Sequence, residues 1–314
     1  MVGEEIRPAN RFAGGLLPLQ VMGVLVTFDD KRDPMADAEL AKTFLDHLIL
    51  VDNTPSGHPA LRGITPPSSI TVIANRNNGG LAGAYNAAID RINIDYSDAG
   101  YVMFLDEDSD VDAIKPFLDS QVTREYLERD DVAAVAPLYI DRATGLPGAH
   151  IQLARLTYKI LPRDLPEPTE VSFLINSMSL WKLLALRRIG RYNIALAVDH
   201  IDTDYCLRAK MQGYKLILNP TVKFWHSIGM RRQYRFFGWI LQSGGHNSAR
   251  REMIGRNTVI LARHYGLAFP SFAILCGARL VYECIGILLV ESNKLIKISA
   301  LLKGMIGGLG HRYD

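Results

Sequence analysis

The chain has 314 residues, 48% hydrophobic and 22% charged, with 35 basic against 33 acidic side chains and a net charge of +2. That is enough apolar material for one large domain, or one domain with a smaller appendage. It lacks the strong basic excess of a nucleic-acid binder, so no nucleic-acid partner is expected. Basic residues cluster only locally, at Arg231-Arg232, Arg235, Arg250-Arg251, Arg256 and Arg263. Three widely spaced cysteines, Cys206, Cys276 and Cys284, with no C-x-x-C, argue against a disulfide framework or a zinc-thiolate site. They read as buried thiols in a reducing cytosol.

From the N-terminus, the apolar stretch Phe12 to Val26 is interrupted by Pro18 and Gln20 and preceded by Glu4 and Glu5. Without a small-residue cleavage site after it, it does not read as a signal peptide. Leu19–Thr27 is read instead as the first core strand. Further strands are expected at Leu48–Val51, Ile70–Ala74, Tyr101–Leu105 and Val132–Ala136, with helices at Ala36–His47, Leu81–Ile92 and Ile114–Leu127. Short apolar runs alternating with helical patterns imply a doubly wound α/β sheet with buried parallel strands. Ligands of such sheets bind beyond the carboxyl ends of the strands.

Residues 141–170, rich in glycine and proline, break the pattern and read as a long loop or irregular insertion. A strand near Val171–Ile175, a helix from Ser179, a helix around Asp202–Gln212 and strands at Leu216–Leu218 and Val222–Trp225 follow. From about residue 230 the pattern is helical throughout. The apolar run Phe272–Val290 carries Arg279 and Glu283 at i,i+4, which makes it a poor membrane span. It reads as an amphipathic helix on the inner membrane surface, a packed helix or a dimer interface.

Four segments carry candidate chemistry. Phe104-Leu105-Asp106-Glu107-Asp108-Ser109-Asp110 runs an apolar strand into an acidic cluster at the ligand-binding edge. Hard divalent cations take carboxylate oxygens, and a diphosphate brings charge to neutralise. Its bland alternative is a solvated turn with Asp110 capping a helix. Asp199-His200-Ile201-Asp202-Thr203-Asp204 puts three carboxylates in six positions, more than the capping of one helix by Asp199 and Asp202 requires. A positioned carboxylate there could deprotonate an acceptor hydroxyl, although a helix N-terminus is expected to lower its pKa. His226, after Trp225 at a strand end, could complete a metal site with the acidic residues. Asn75–Asn86 is a Gly-rich turn opening a helix, suited to close approach of phosphate, without the G-x-G-x-x-G dinucleotide fingerprint.

In this order the segments resemble the inverting family-2 glycosyltransferases over roughly residues 20–265, closest to the bacterial rhamnosyltransferase branch. Thr27-Phe28 resembles the end of the family's first strand. Val51-Asp52-Asn53 resembles its base-binding second strand, and Asn78-Gly79-Gly80 through Asn86 its N-x-G helix start. Leu105-Asp106-Glu107-Asp108-Ser109 is similar to its metal-binding D-x-D. Asp202-Thr203-Asp204-Tyr205-Cys206-Leu207-Arg208 is similar to the acidic motif that supplies the base, His226-Ser227-Ile228-Gly229 to its H-x-I-G, and Arg256-Asn257 with Tyr265 to its R-N…Y helix.

The resemblance implies a GT-A fold over residues 1–230 with a C-terminal helical region, 231–314, for acceptor, membrane or dimer contact. It implies Mg²⁺ or Mn²⁺ held by Asp106, Asp108 and His226, and Asp202 as catalytic base, supported by Asp199, Asp204 and Arg208. The donor would be held by Thr27, Phe28, Asp52, Asn78, Gly79, Asn86 and Asp106, with Trp225, Arg256 and Asn257 toward the acceptor. The expected donor is dTDP-L-rhamnose, or failing that a UDP-hexose such as UDP-galactofuranose. The expected acceptor is a lipid-linked or surface glycan, met in the cytoplasm at the inner membrane. A nucleotidyltransferase would place a Gly-rich basic signature after the first strand, where this chain has Phe28-Asp29-Asp30-Lys31-Arg32. A non-catalytic membrane scaffold would not need both acidic clusters.

Overall fold

Strand β1 (Val21–Thr27) and strand β2 (His47–Asp52) are buried along their whole length, as continuous apolar runs in a sheet covered on both faces must be. The computed structural model describes residues 19–28, 32–227, 232–236, 239–311 and 313. Asp29, Asp30, Ile228 and Gly229 lie outside the described residues. Between β1 and β2 runs α1 (Pro34–Lys42), started by Pro34 and by the Asp33 side chain, which accepts from Met35 N and Ala36 N. It ends before the Ala36–His47 span expected, because His47 already opens β2. Next come β3 (Ile70–Ala74), α2 (Gly80–Asp95) and β4 (Tyr101–Asp106).

The expected helix Ile114–Leu127 is two helices, α3 (Ile114–Asp119) and α4 (Gln121–Glu128). Ser120 between them is extended, and its hydroxyl caps α4 at Thr123 N. β5 (Val132–Asp141) is longer than its apolar core suggested. The 141–170 segment contributes a small hairpin, β6 (Ile151–Leu153) with β7 (Tyr158–Ile160), and leads to β8 (Thr169–Val171).

Residues from Ser179 were expected to be helical. They form β9 (Leu180–Lys182) first, and α5 (Leu183–Ile189) only then. β9 inserts antiparallel between β4 and β5, which buries Trp181 completely. α6 (Ile201–Met211) precedes β10 (Lys215–His226), one strand where two were expected. Its register slips between Asn219 and Lys223, where Pro220 removes a ladder donor.

The region after 230 is not all helical. A hairpin, β11 (Arg232–Phe236) and β12 (Trp239–Ser243), precedes α7 (Ser248–Tyr265), α8 (Pro270–Val290) and α9 (Lys294–Gly310).

The main sheet has eight strands in the order β3-β2-β1-β4-β9-β5-β10-β8, parallel except for β9 and β8. Two apolar cores lie on its two faces. One includes Ala82, Tyr85 and Ala88 of α2 with Leu186 of α5 and Tyr205 of α6. The other includes Ala38 and Ala41 of α1 with Ile114, Phe117 and Leu127 of α3 and α4. This is the doubly wound, mostly parallel GT-A architecture with a C-terminal helical extension that the resemblance implies.

The fully buried Arg251 of α7 ties the extension together. It pairs with Glu283 of α8 and with Glu291, which also takes Lys297 of α9 at 2.7 Å. Glu283 therefore pairs across helices with Arg251. α8 is 21 residues long with a mean hydropathy of 2.0 over a window that is only 17% buried, long and apolar enough to cross a membrane. Its charges, read from sequence as disqualifying, do not lower it below that length and apolarity. Cys206 and Cys276 are buried, as expected, whereas Cys284 is only half-buried.

Candidate functional site

A cleft of about 910 Å³ opens at the carboxyl edge of the central strands, within the size range of small-molecule sites. Its walls bring together two acidic segments far apart in the chain: Asp106, Glu107 and Asp108 after β4, and Asp199 and Asp202 at the start of α6.

The acidic loop after β4 is held from both sides. Glu107 turns toward β1, where its Oε1 accepts from Thr27 Oγ1 at 2.6 Å and from Phe28 N. Thr27 is thereby buried and engaged, while the Phe28 ring is 54% exposed on the cleft. Asp108 and Asp110 turn toward β10. Asp108 Oδ2 accepts from Ser227 N at 3.3 Å, and Asp110 Oδ2 accepts from Trp225 N at 3.0 Å. Asp110 makes no side-chain cap for the turn that follows it, contrary to its bland reading.

Asp106, Asp108 and His226 each present a ligand atom, and these atoms lie within 4.8 Å of one another. His226 Nδ1 is 3.8 Å from Asp108 Oδ1, and this buried nitrogen makes no hydrogen bond among the described residues. An orphaned imidazole nitrogen facing two carboxylates fits a divalent cation, which would take the unused lone pair and offset the two negative charges. Burial raises the pKa of Asp106, His226 opposes that rise and Asp108 adds to it.

The segment between β8 and β9 joins the two clusters. Asn176 N donates to Asp202 Oδ2 at 3.3 Å, and Ser177 Oγ lies 3.1 Å from Ser109 Oγ. Burial and the nearby Asp106 push Asp202 up to about 7, against the smaller pull of the Asn176 hydrogen bond. This runs opposite to the lowering expected at a helix N-terminus, with burial beside a like charge as the cause. The expected capping by Asp199 is also absent: the N-cap is His200, in a left-handed conformation without a side-chain cap. Asp199 instead pairs with Arg250 of α7 at 3.2 Å on the cleft wall.

Other residues singled out in the sequence lie behind the cleft. Asp204 is buried, paired with Arg208 at 3.1 Å, and accepts from the Tyr265 hydroxyl at 2.7 Å and from Tyr313. Asp52 is buried and fastens the loop after β2, its Oδ1 accepting from Thr54 N at 3.0 Å and its Oδ2 from His58 N at 2.8 Å. Asn86 is a two-point clamp on the Tyr192 backbone, donating to its O at 2.9 Å and accepting from its N at 2.7 Å.

The turn at Asn78 and Gly79 packs against the chain itself. A Cβ on Gly80 would come within 2.7 Å of Ala197 O, and one on Gly83 within 1.8 Å of Asn78 O. Gly80 lets the start of α2 press onto the turn that leads into α6, and Gly83 makes room for the Asn78 carbonyl of its own opening turn.

Arg256 and Asn257 of α7 grip the same turn. Arg256 donates to Ala195 O at 2.8 Å, and Asn257 Nδ2 to both Leu196 O and Asp199 O at 2.9 Å. Trp225 is 46% exposed, and strand alternation points it away from His226.

Sequence reasoning assigned no individual role to Asn53, Asn77, Tyr85, Asn176 or Arg250, all of which line the cleft. Asn53, Asn77, Tyr85 and Arg250 stood within segments noted above, and Asn176 did not.

No protein-family model matches the chain. The dTDP-rhamnosyl transferase RfbF of Shigella flexneri is 24% identical over 244 residues, spanning 76% of this chain and 77% of that protein. Among solved structures, GalNAc-T7 crystallised with UDP, GalNAc and Mn²⁺ aligns at a TM-score of 0.48 and 14% identity, covering 85% of this chain and 55% of that one. S. aureus TarS aligns at a TM-score of 0.43 and 10% identity, covering 94% of this chain and 44% of that one. The chain thus spans about half the length of these two structures. With a sequence relative aligned over most of its length and the expected architecture in place, the chain has a GT-A-type fold and is similar in sequence to a glycosyltransferase.

Proposed function

We propose that the chain transfers L-rhamnose from dTDP-L-rhamnose, with inversion, onto a surface-polysaccharide or lipid-linked glycan acceptor at the cytoplasmic face of a membrane. The observation that carries this reading is the convergence of Asp106, Asp108 and His226 with Asp202 on one cleft. The rhamnosyl donor is supported by the relative's own specificity, that of a dTDP-rhamnosyl transferase.

In this mechanism Asp106, Asp108 and His226 would hold Mg²⁺ or Mn²⁺. Bound there, the cation supplies Lewis-acid stabilisation of the charge that develops on the leaving group. Asp202 takes the proton from the acceptor hydroxyl as that oxygen attacks the anomeric carbon from the side opposite the diphosphate. Its raised pKa makes its carboxylate a better base than an exposed aspartate. The Asn176 N–H fixes one carboxylate oxygen and so sets the direction of the other. Arg250, paired with Asp199, stands on the same wall as a cationic contact for donor or acceptor. The exposed apolar surfaces of α8 and α9 serve as the membrane contact.

The test is a donor screen read by mass spectrometry against a panel of acceptors, with Asp202→Asn as control. Rhamnosyl transfer from dTDP-L-rhamnose that falls by at least ~100-fold in Asp202→Asn supports the reading. Near-normal turnover of that variant would remove Asp202 as the base.

A further inference from the structure

Asn77 lies in the turn between β3 and α2 with a left-handed backbone, φ 59°, which asparagine tolerates better than most residues. It lines the cleft together with Val26, Phe28 and Asn53, at the ends of β1 and β2.

The orientation of its amide is set by a relay that starts at a backbone carbonyl. Asn75 Nδ2 donates to Asn78 O at 3.0 Å. A carbonyl only accepts, so the Asn75 nitrogen has to face that way. The same nitrogen donates its second proton to Asn53 Oδ1 at 2.7 Å. Asn53 therefore turns its own nitrogen toward Asn77, where it donates to Oδ1 at 3.4 Å. With its oxygen engaged, Asn77 is left holding out Nδ2, which has no partner among the described residues. The carboxylate of Asp52, by contrast, is buried, is fastened by Thr54 N and His58 N, and does not line the cleft.

We propose that Asn77 reads the donor's base, offering Nδ2–H to the C4 carbonyl of a pyrimidine-2,4-dione, with the Asn75–Asn53 relay fixing that polarity. This rests on the donor-site reading above. Thymine and uracil present a carbonyl at C4 where cytosine presents an amino group. A fixed donor at that point favours dTDP and UDP over CDP, and the exposed Phe28 ring offers the base a face to stack on. Asp52 then shapes the loop and does not touch the base.

The experiment titrates dTDP, UDP and CDP with Mn²⁺ by calorimetry into wild type, Asn77→Gly and Asn77→Asp. Glycine and aspartate both accommodate the left-handed backbone, so the turn is preserved. Asn77→Gly should weaken dTDP and UDP by about three- to tenfold and leave CDP unchanged. Asn77→Asp, which replaces the donor by an acceptor, should shift preference toward CDP. Unaltered affinity for dTDP and UDP in both variants would overturn the assignment and leave the donor-site reading standing. A wild type that binds none of the three nucleotides would remove that reading and the role of Asn77 with it.

Discussion

The hydroxyl of Tyr265, on α7, donates a 2.7 Å hydrogen bond to the buried carboxylate of Asp204, on α6. The α6 helix that places Asp202 in the cleft is thus anchored by its next acidic residue to the C-terminal extension. Tyr313 and Arg208 complete the anchor on the same carboxylate. Removing one donor to a buried charge costs about 1.5–3 kcal/mol. Tyr265→Phe is expected to lower unfolding stability by about 2 kcal/mol. It should also reduce kcat more than it changes donor KM, since α6 shifts while the acidic loop after β4 does not. Denaturant titration and steady-state kinetics read the two effects, and a variant unchanged in both would make the anchor irrelevant to the cleft.

Asp202 predicts a pH dependence with a definite sign. Its folded-state pKa, about 7, lies above the unfolded value of 3.8. Protonation therefore favours the folded protein, and this contribution is full below about pH 4 and lost as pH rises through about 7. For metal-free protein, the melting temperature of wild type relative to Asp202→Asn should fall between those limits. Turnover runs the other way, because the base acts only when ionised. The acid limb of kcat/KM should lie well above the 3.8 of an ordinary aspartate. A limb near pH 4 would show that Asp202 is not the titrating base.

The metal site is testable without turnover. If Asp106, Asp108 and His226 share a cation, Mn²⁺ should raise the melting temperature. The stabilisation would be about 2.7 kcal/mol at a concentration 100 times Kd. His226→Ala and Asp108→Asn should each abolish most of that shift, and an excess of chelator should reverse it in wild type. His226 Nδ1 makes no hydrogen bond among the described residues, so losing that atom orphans no partner, and the melting temperature of the metal-free variant gives the baseline for its shift. An equal Mn²⁺ shift in wild type and both variants would place the cation elsewhere.

The central sheet was legible because β1, β2 and β4 announce themselves as short apolar runs that must be buried on both faces. β9 was not, because three residues carry no period, and its place follows only from the partners on either side of Trp181. The acidic segments could be found as clusters, yet nothing local distinguishes Asp202, which faces the cleft, from Asp204, which faces away. The difference lies in what packs behind α6. Nor does anything local show that Asn86 and Asp52 engage backbone groups behind the cleft lining. Their bonds to Tyr192, Thr54 and His58 involve backbone groups whose positions depend on the folded loops. The raised pKa of Asp202 likewise depends on Asp106, which only the fold brings near. The hairpin after residue 230 interrupts a stretch whose composition suits helices at either end.

The apolar surface of the extension leads to a last prediction. Leu288 and Leu289 of α8 are about half exposed, and Leu295 and Ile306 of α9 are 83% and 70% exposed. Apolar side chains this exposed gain free energy by entering the interfacial region of a bilayer, roughly in proportion to the area they bury there. The purified protein should therefore co-sediment with liposomes. Leu288→Glu combined with Leu295→Glu should release it, because two carboxylates would have to enter the same region. Both positions are exposed in the free protein, so the double variant should retain its melting temperature and its transfer to a water-soluble acceptor. Transfer to a membrane-embedded acceptor should fall with liposome binding. If the double variant sediments with liposomes as wild type does, this face of α8 and α9 is not the membrane contact.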